Sequence, residues 1–262
     1  RAEDPPIAPA DFADRAAKYA GMYHFWRHNF STIEKVLSLP PGLAITPTED
    51  NTLLLSVGAG AKHYVEVDDN LFRELNQEVA LDPRFSPRLI AFQENPDGSI
   101  KGMVIDGLPF MSTYKSPAYA NTSFNMLFLA LSVLVFVGVL LRLAYQRSAL
   151  RAMEAPDRSA TWASVYVAAS NLFFLVVAML VVSTYGRDLF NNLPFAFKAM
   201  LVLPIIAFAT GLYHAYKFVT VWKDGLLNGV WARLRYGVVT ICALFMCWFY
   251  YFWNILGFQY LA

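Results

Sequence analysis

Hydrophobic positions follow two different rules along this chain. From about residue 123 onward they form four long, nearly unbroken runs, at roughly 123–145, 162–185, 193–218 and 234–261. Each is long enough to cross about 30 Å of bilayer hydrocarbon, which takes roughly 20 helical residues. One such run could be a buried soluble helix, but four in succession predict a bundle of transmembrane helices. Between residues 19 and 115 the apolar positions instead come in short alternating stretches, at 43–46, 52–57, 63–67, 71–75, 89–93, 100–105 and 109–114. Turn-forming residues separate several of them, for example Asp68-Asp69-Asn70 and Asn95-Pro96-Asp97-Gly98. Hairpins in series predict an antiparallel meander or small barrel. A helical segment is expected at 31–39, with Ser31 as N-cap and Glu34 three residues later, and a short helix at 11–19. The fold class is therefore α+β. The predicted order is a linker with a short helix at 1–18, a β domain outside the membrane at 19–115, and four membrane helices at 121–262.

Composition sharpens this division. Only 16% of the 262 residues are charged and 56% are hydrophobic, against about a quarter charged in soluble domains. That excludes a disordered chain and an ordinary cytosolic enzyme, and a net charge of +1 excludes a basic nucleic-acid binder. Through Ala120 there are 11 Lys+Arg and 16 Asp+Glu, a net −5; from Asn121 the counts are 10 and 4, a net +6. Arg142, Arg147, Arg151 and Arg158 lie in or beside the first connection between apolar runs, and Lys217, Lys223, Arg233 and Arg235 around the third. Positive charge is retained on the cytoplasmic side. Both connections are therefore expected inside, with the β domain and both termini outside, periplasmic in a bacterium. The short middle connection offers Arg187, Asp188 and Lys198. Trp162, Tyr185, Tyr213, Trp222 and Trp231 near the run ends fit an interfacial aromatic belt. Pro204 is expected to kink the third run or to lean on a neighbouring helix.

Candidate chemistry is sparse. Ser112-Thr-Tyr-Lys115 followed by Tyr119-Ala-Asn121 matches the Ser-x-x-Lys and Tyr-x-Asn motifs of penicillin-binding proteins and β-lactamases. Catalysis needs the serine at a helix start, with the lysine one turn away. On the strand expected here the two side chains point to opposite faces, so no catalytic residue is assigned. His24 and His28, at i and i+4, are metal-ligand candidates if that segment is helical, but Tyr23, Phe25 and Trp26 favour a strand, and no third ligand has matching spacing. His214 lies in the third run. An intramembrane histidine is a functional candidate, here as a ligand to haem or a chlorophyll magnesium, or as a histidine hydrogen-bonded to a neighbour. Cys242 and Cys247 fall on different faces of one helix and offer neither a disulfide framework nor a metal site. Few ionisable residues fall inside the runs, which argues against a transporter. No cofactor is expected, and the bilayer is the one partner that composition implies.

The order of several pieces resembles the C-terminal region of bacterial membrane-anchored serine hydrolases of the class C β-lactamase and penicillin-binding-protein-like family. These pieces are Ala8-Pro-Ala-Asp-Phe-Ala-Asp-Arg-Ala-Ala-Lys-Tyr-Ala-Gly-Met-Tyr23, Phe30-Ser-Thr-Ile-Glu-Lys-Val-Leu37, Tyr64-Val-Glu-Val67 with Leu71-Phe-Arg-Glu74, Leu89-Ile-Ala-Phe-Gln-Glu94 with Asp97-Gly98, and Trp253-Asn-Ile-Leu-Gly-Phe258. The resemblance implies a periplasmic hydrolase domain upstream, for which this chain is spacer and inner-membrane anchor, itself non-catalytic. None of that family's catalytic residues can be placed on this sequence. The chain opens on Arg1 without a leader, which is expected of a cleaved product or the tail of a longer chain. The alternative is an accessory subunit of a larger membrane complex, docking through its transmembrane helices.

Overall fold

The computed structural model describes residues 6–40, 42–75, 87–107, 110–186 and 193–260. Arg187, Asp188 and the expected strand start at Pro109 lie outside the described residues, as does the end of the fourth run at Leu261. Two compact units are present. One holds the β domain; the other holds the helices from Asn125 onward together with Ser31–Val36.

The first unit is an eight-stranded barrel in which each strand pairs antiparallel with its sequence neighbours: β1 (Gly21–Phe25), β2 (Leu43–Pro47), β3 (Leu53–Val57), β4 (Gly60–Asp68), β5 (Leu71–Glu74), β6 (Leu89–Glu94), β7 (Ile100–Ile105) and β8 (Thr113–Lys115). β1 pairs with β8 through His24 opposite Tyr114, closing the ring. Closure removes the unpaired edges that an open meander leaves. The period of two decides which side chains fill it. Leu43 and Ile45, Leu53 and Leu55, and Ile90 and Phe92 are the buried members of their strands. Phe72 and Phe92 meet edge to face at 5.3 Å, and Tyr19 meets Phe72 at 5.0 Å.

A short helix, α1 (Phe12–Ala16), adds Phe12 and Ala16 to this core, with Tyr19 just beyond it. β7 and β8 approach so closely that a Cβ on Gly102 would lie 1.9 Å from the carbonyl oxygen of Thr113. Thr113 Oγ1 donates to Met103 O and accepts from Met103 N–H, locking the same pair.

The second unit contains the four long apolar helical segments. They are α2 (Thr122–Tyr145), α4 (Ala155–Tyr185), the pair α5 (Phe195–Met200) and α6 (Val202–Lys223), and α7 (Val230–Phe252); α3 (Arg147–Ala152) is a short helix between α2 and α4. Their lengths and composition suit a bilayer, and the chain is a membrane protein. α4 starts at Ala155, ahead of the apolar run at 162, because Pro156 suits a first helical turn. The third run breaks at Leu201. Pro204 supplies no N–H for the carbonyl four residues back, at Met200, where α5 ends. α7 stops at Phe252 although the apolar run continues to 261. Asn254 takes a left-handed conformation (φ 55°), and the N–H groups of Ile255 and Leu256 both return to Tyr250 O.

The segment expected as a helix over 31–39 is a 3₁₀ turn, Ile33–Ser38. Its first part belongs with the helices rather than with the β domain. Ile33 N–H bonds Gln259 O, Asn254 Nδ2 donates to Thr32 O, and the Lys35 ammonium lies over the Phe252 ring at 3.8 Å while donating to Phe252 O. These partners are far apart in sequence, so hydrophobic periodicity carries no trace of them.

Candidate functional site

Inside the barrel, β4 turns Lys62, Tyr64 and Glu66 inward, and β5 turns Phe72 and Glu74 inward. Lys62 and Glu74 form an ion pair with both side chains 3% exposed. Glu66 is paired with Arg15, which α1 brings over it. Tyr19 Oη donates to Asn70 Oδ1 at 2.7 Å, and Tyr64 Oη to Pro87 O at 2.6 Å. Burial and the Glu66 charge hold the Tyr19 phenol well above its ordinary pKa. Each buried charge has an opposite partner and each of these hydroxyls has an acceptor, as enclosed polar groups require. This interior is a filled core.

The histidines of the β domain do not gather. His24 is buried on β1, where burial and, secondarily, the field of His28 hold its pKa below the usual imidazole value. His28 lies beyond the strand with both ring nitrogens engaged, Nδ1 at 3.0 Å from Asn29 O and Nε2 at 3.0 Å from Tyr114 Oη. The segment from Gly21 to Phe25 is a strand, not the helix on which the i, i+4 spacing would align the two rings. Among the described residues no three His, Cys, Asp or Glu side chains cluster as metal ligands. Ser112 precedes β8 rather than lying on it, and its backbone carbonyl accepts from Trp26 N–H. Lys115 donates its ammonium to Lys18 O at 2.8 Å, and burial lowers its pKa. Asn121 Oδ1 accepts from Ser123 N–H at the start of α2.

The second unit holds the more informative cluster. His214 on α6 is fully buried, with its ring stacked on Tyr236 of α7 at 4.2 Å and 12°. Ser164 Oγ of α4 lies 3.0 Å from its Nε2, and Thr240 Oγ1 of α7 lies 3.3 Å from its Nδ1. Thr240 Oγ1 already donates to Tyr236 O, so its one proton is spent and it accepts from His214 Nδ1–H. Nε2 is then the acceptor for Ser164 Oγ–H. A neutral imidazole with both nitrogens satisfied bridges three helices. His214, considered as a haem or magnesium ligand, has a hydroxyl beside each ring nitrogen in this arrangement. One turn earlier on α6, Gly211 lets that helix meet α7, since a Cβ there would stand 2.6 Å from Cys247 Sγ. Deeper pairs follow the same rule: Tyr250 Oη donates to Asn171 Oδ1 at 2.7 Å, and Trp253 Nε1 to Asn125 Oδ1 at 3.0 Å.

Ser164 and Tyr236 also line a cavity of about 410 Å³. Its walls are mostly apolar, with Val135, Val139, Val165 and Val239 among them, and Arg142 and Arg235 complete the lining. A second cavity of about 430 Å³ adjoins it, sharing Leu143 and Leu150 and lined also by Arg147, Arg151 and Arg158. The cavities bring together the end of α2, α3, the start of α4 and the start of α7, so the first and third connections lie at one end of this unit. Asp157 Oδ1, accepting Leu227 N–H at 3.0 Å, joins the same two connections. Periodicity reasoning singled out His214 but missed Ser164, Thr240 and the cavity. Small hydroxyl residues in an apolar helix carry no signal of their own until the helices are packed. No known protein family, curated protein or solved structure matches this chain.

Proposed function

We propose that this chain is the non-catalytic membrane anchor and extracytoplasmic spacer of a serine-hydrolase-like protein related to class C β-lactamases and penicillin-binding proteins. It sits in the bacterial inner membrane with the barrel and C-terminus on the periplasmic side. The observation that carries this reading is the barrel's filled interior. Its aromatic core and the enclosed Lys62–Glu74 pair suit it to holding a neighbouring domain rather than containing a substrate. The chain then passes from β8 into α2 through only residues 116–121, as a spacer joined to an anchor does. The gathering of the first and third connections at one end supports the orientation, because those connections carry most of the basic residues of the second half.

Labelling native membranes with a fluorescent penicillin, then capturing the chain with an antibody against the barrel, tests this proposal. The expected result is a label in peptides that precede residue 1 of this sequence. Label inside residues 1–262, or unlabelled capture with other membrane subunits at fixed stoichiometry, would replace the proposal with an enzyme or an accessory subunit respectively. A cysteine placed at Ser99 should react with an impermeant maleimide added from the periplasmic side, and one placed at Ser148 should not.

A further inference from the structure

We infer that the cavity bordered by Arg142 and Arg235 is a binding site for an anionic phospholipid. The phosphate would lie between the two guanidinium groups, and an acyl chain would lie along the valine-lined wall. The inference depends on the helices spanning a bilayer and not on the hydrolase reading.

The chemistry of the lining selects the ligand class. Apolar walls call for hydrocarbon, and the two guanidinium groups at one end call for an anion with several acceptor oxygens. Arg142 Nε donates to Gln146 Oε1 at 2.9 Å, which orients the guanidinium and leaves its terminal amino groups for another acceptor. Among the described residues neither arginine has a carboxylate partner; every ion pair found there lies in the barrel unit. Among the described residues no Asp or Glu lines either cavity. Asp157, in the first connection, accepts from the Leu227 amide.

The second cavity extends the same character, with Arg147, Arg151 and Arg158 around Leu143, Leu150 and Trp162. A basic pocket between membrane helices beside apolar walls is the setting in which anionic lipid headgroups bind. At the inner wall, Ser164 and Tyr236 place the His214 cluster beside the ligand, so an occupied cavity reports on α4, α6 and α7 together.

Delipidated full-length protein in a neutral detergent tests this by thermal unfolding with added phosphatidylglycerol, phosphatidylcholine or inorganic phosphate. Phosphatidylglycerol should raise Tm in a concentration-dependent way, while the other two should not. The R142Q/R235Q variant should bind phosphatidylglycerol at least about tenfold more weakly, since each basic contact to an anionic lipid is worth about 1 kcal/mol. The K217Q/K223Q variant, which removes equal charge from residues that line neither cavity, should bind as the wild type does. Circular dichroism at 20 °C establishes that each variant is folded. Equal shifts with phosphatidylcholine, equal loss in both variants, or no shift with any lipid would overturn the inference. A shift with inorganic phosphate alone would make the site one for free anions and overturn the lipid assignment.

Discussion

The barrel and the helical unit enclose polar groups by opposite means. The barrel buries formal charge: Lys62 and Glu74 as an enclosed pair, and Glu66, which a partly exposed Arg15 neutralises. The helical unit buries neutral donors and acceptors: His214 with Ser164 and Thr240, Asn171 with Tyr250, and Asn125 with Trp253. Their outer surfaces are reversed as well. The helices expose Leu134, Phe173, Met179 and Ile241, while the barrel strands turn His63, Asp68, Gln93 and Lys101 outward. The difference follows from the surrounding medium. A protein whose outside is hydrocarbon gains little by burying more of it, so small and hydrogen-bonding residues hold membrane helices together. A domain in water folds by hiding hydrocarbon, and it can retain an enclosed charge only where that charge is paired.

Removing one barrel charge should break this symmetry most severely. K62M leaves Glu74 enclosed without its partner and should cost about 3–5 kcal/mol, whereas K62M/E74L should be near neutral or more stable. Hydrogen exchange on β4 and β5 peptides of the full chain in detergent measures both. If the single and double variants cost the same, the pair is not an isolated ionic contact. G102A comes next. Its Cβ would strike a backbone carbonyl that cannot rotate away, and a loss of roughly 1–3 kcal/mol is expected, seen as faster exchange in β7 and β8 with the helices unchanged.

The corresponding disruption in the helical unit should be milder. A double-mutant cycle on N171L and Y250F should give a coupling of about 0.6 kcal/mol and below about 1.7. A coupling as large as that of Lys62 and Glu74 would erase the contrast between the two units.

The smallest expected effect is one of pH. His24 has a folded pKa below the ordinary imidazole value of about 6.5. Above that value both folded and unfolded forms are neutral, and stability is at its full level. As pH falls below it, the unfolded ring takes up a proton that the folded ring resists, so barrel stability declines until the lowered folded pKa is passed. Glu94 and Asp97, lowered by hydrogen bonds from Lys18 and Ser99 respectively, add losses only in the lower carboxylate range. Barrel melting followed between pH 7.5 and about 5 should therefore slope downward with acid in the wild type. H24F should flatten that slope.

Much of this architecture was legible in order and type. Period-two patterning located seven of the eight strands, and the long apolar runs located the four membrane segments. Boundaries were less legible wherever the backbone, rather than hydrophobicity, ends an element. α7 stops at Phe252 because Asn254 turns left-handed, while the apolar side chains continue. The candidate site was half legible. His214 stands out because a histidine in a hydrophobic run is rare. Ser164 and Thr240, its partners, look like ordinary small helix residues until three helices converge. The Ser-x-x-Lys match illustrates the converse, and the expected strand geometry already spoke against it. Spacing alone suggests a catalytic pair, but Lys115 donates to the Lys18 carbonyl and Ser112 lies ahead of the strand, its carbonyl accepting from Trp26.

Hydrophobic length and period, and the placement of charged residues, are properties of the chain itself; they determined the membrane half, the β half and the charge asymmetry between them. Closure of the barrel, the pairing of Lys62 with Glu74, the docking of Ser31–Val36 on the helical unit and the arginine-edged cavity belong to tertiary structure alone. Each depends on residues brought together from distant positions. A pattern read along one strand or helix records which face a residue takes, but not which residue meets it.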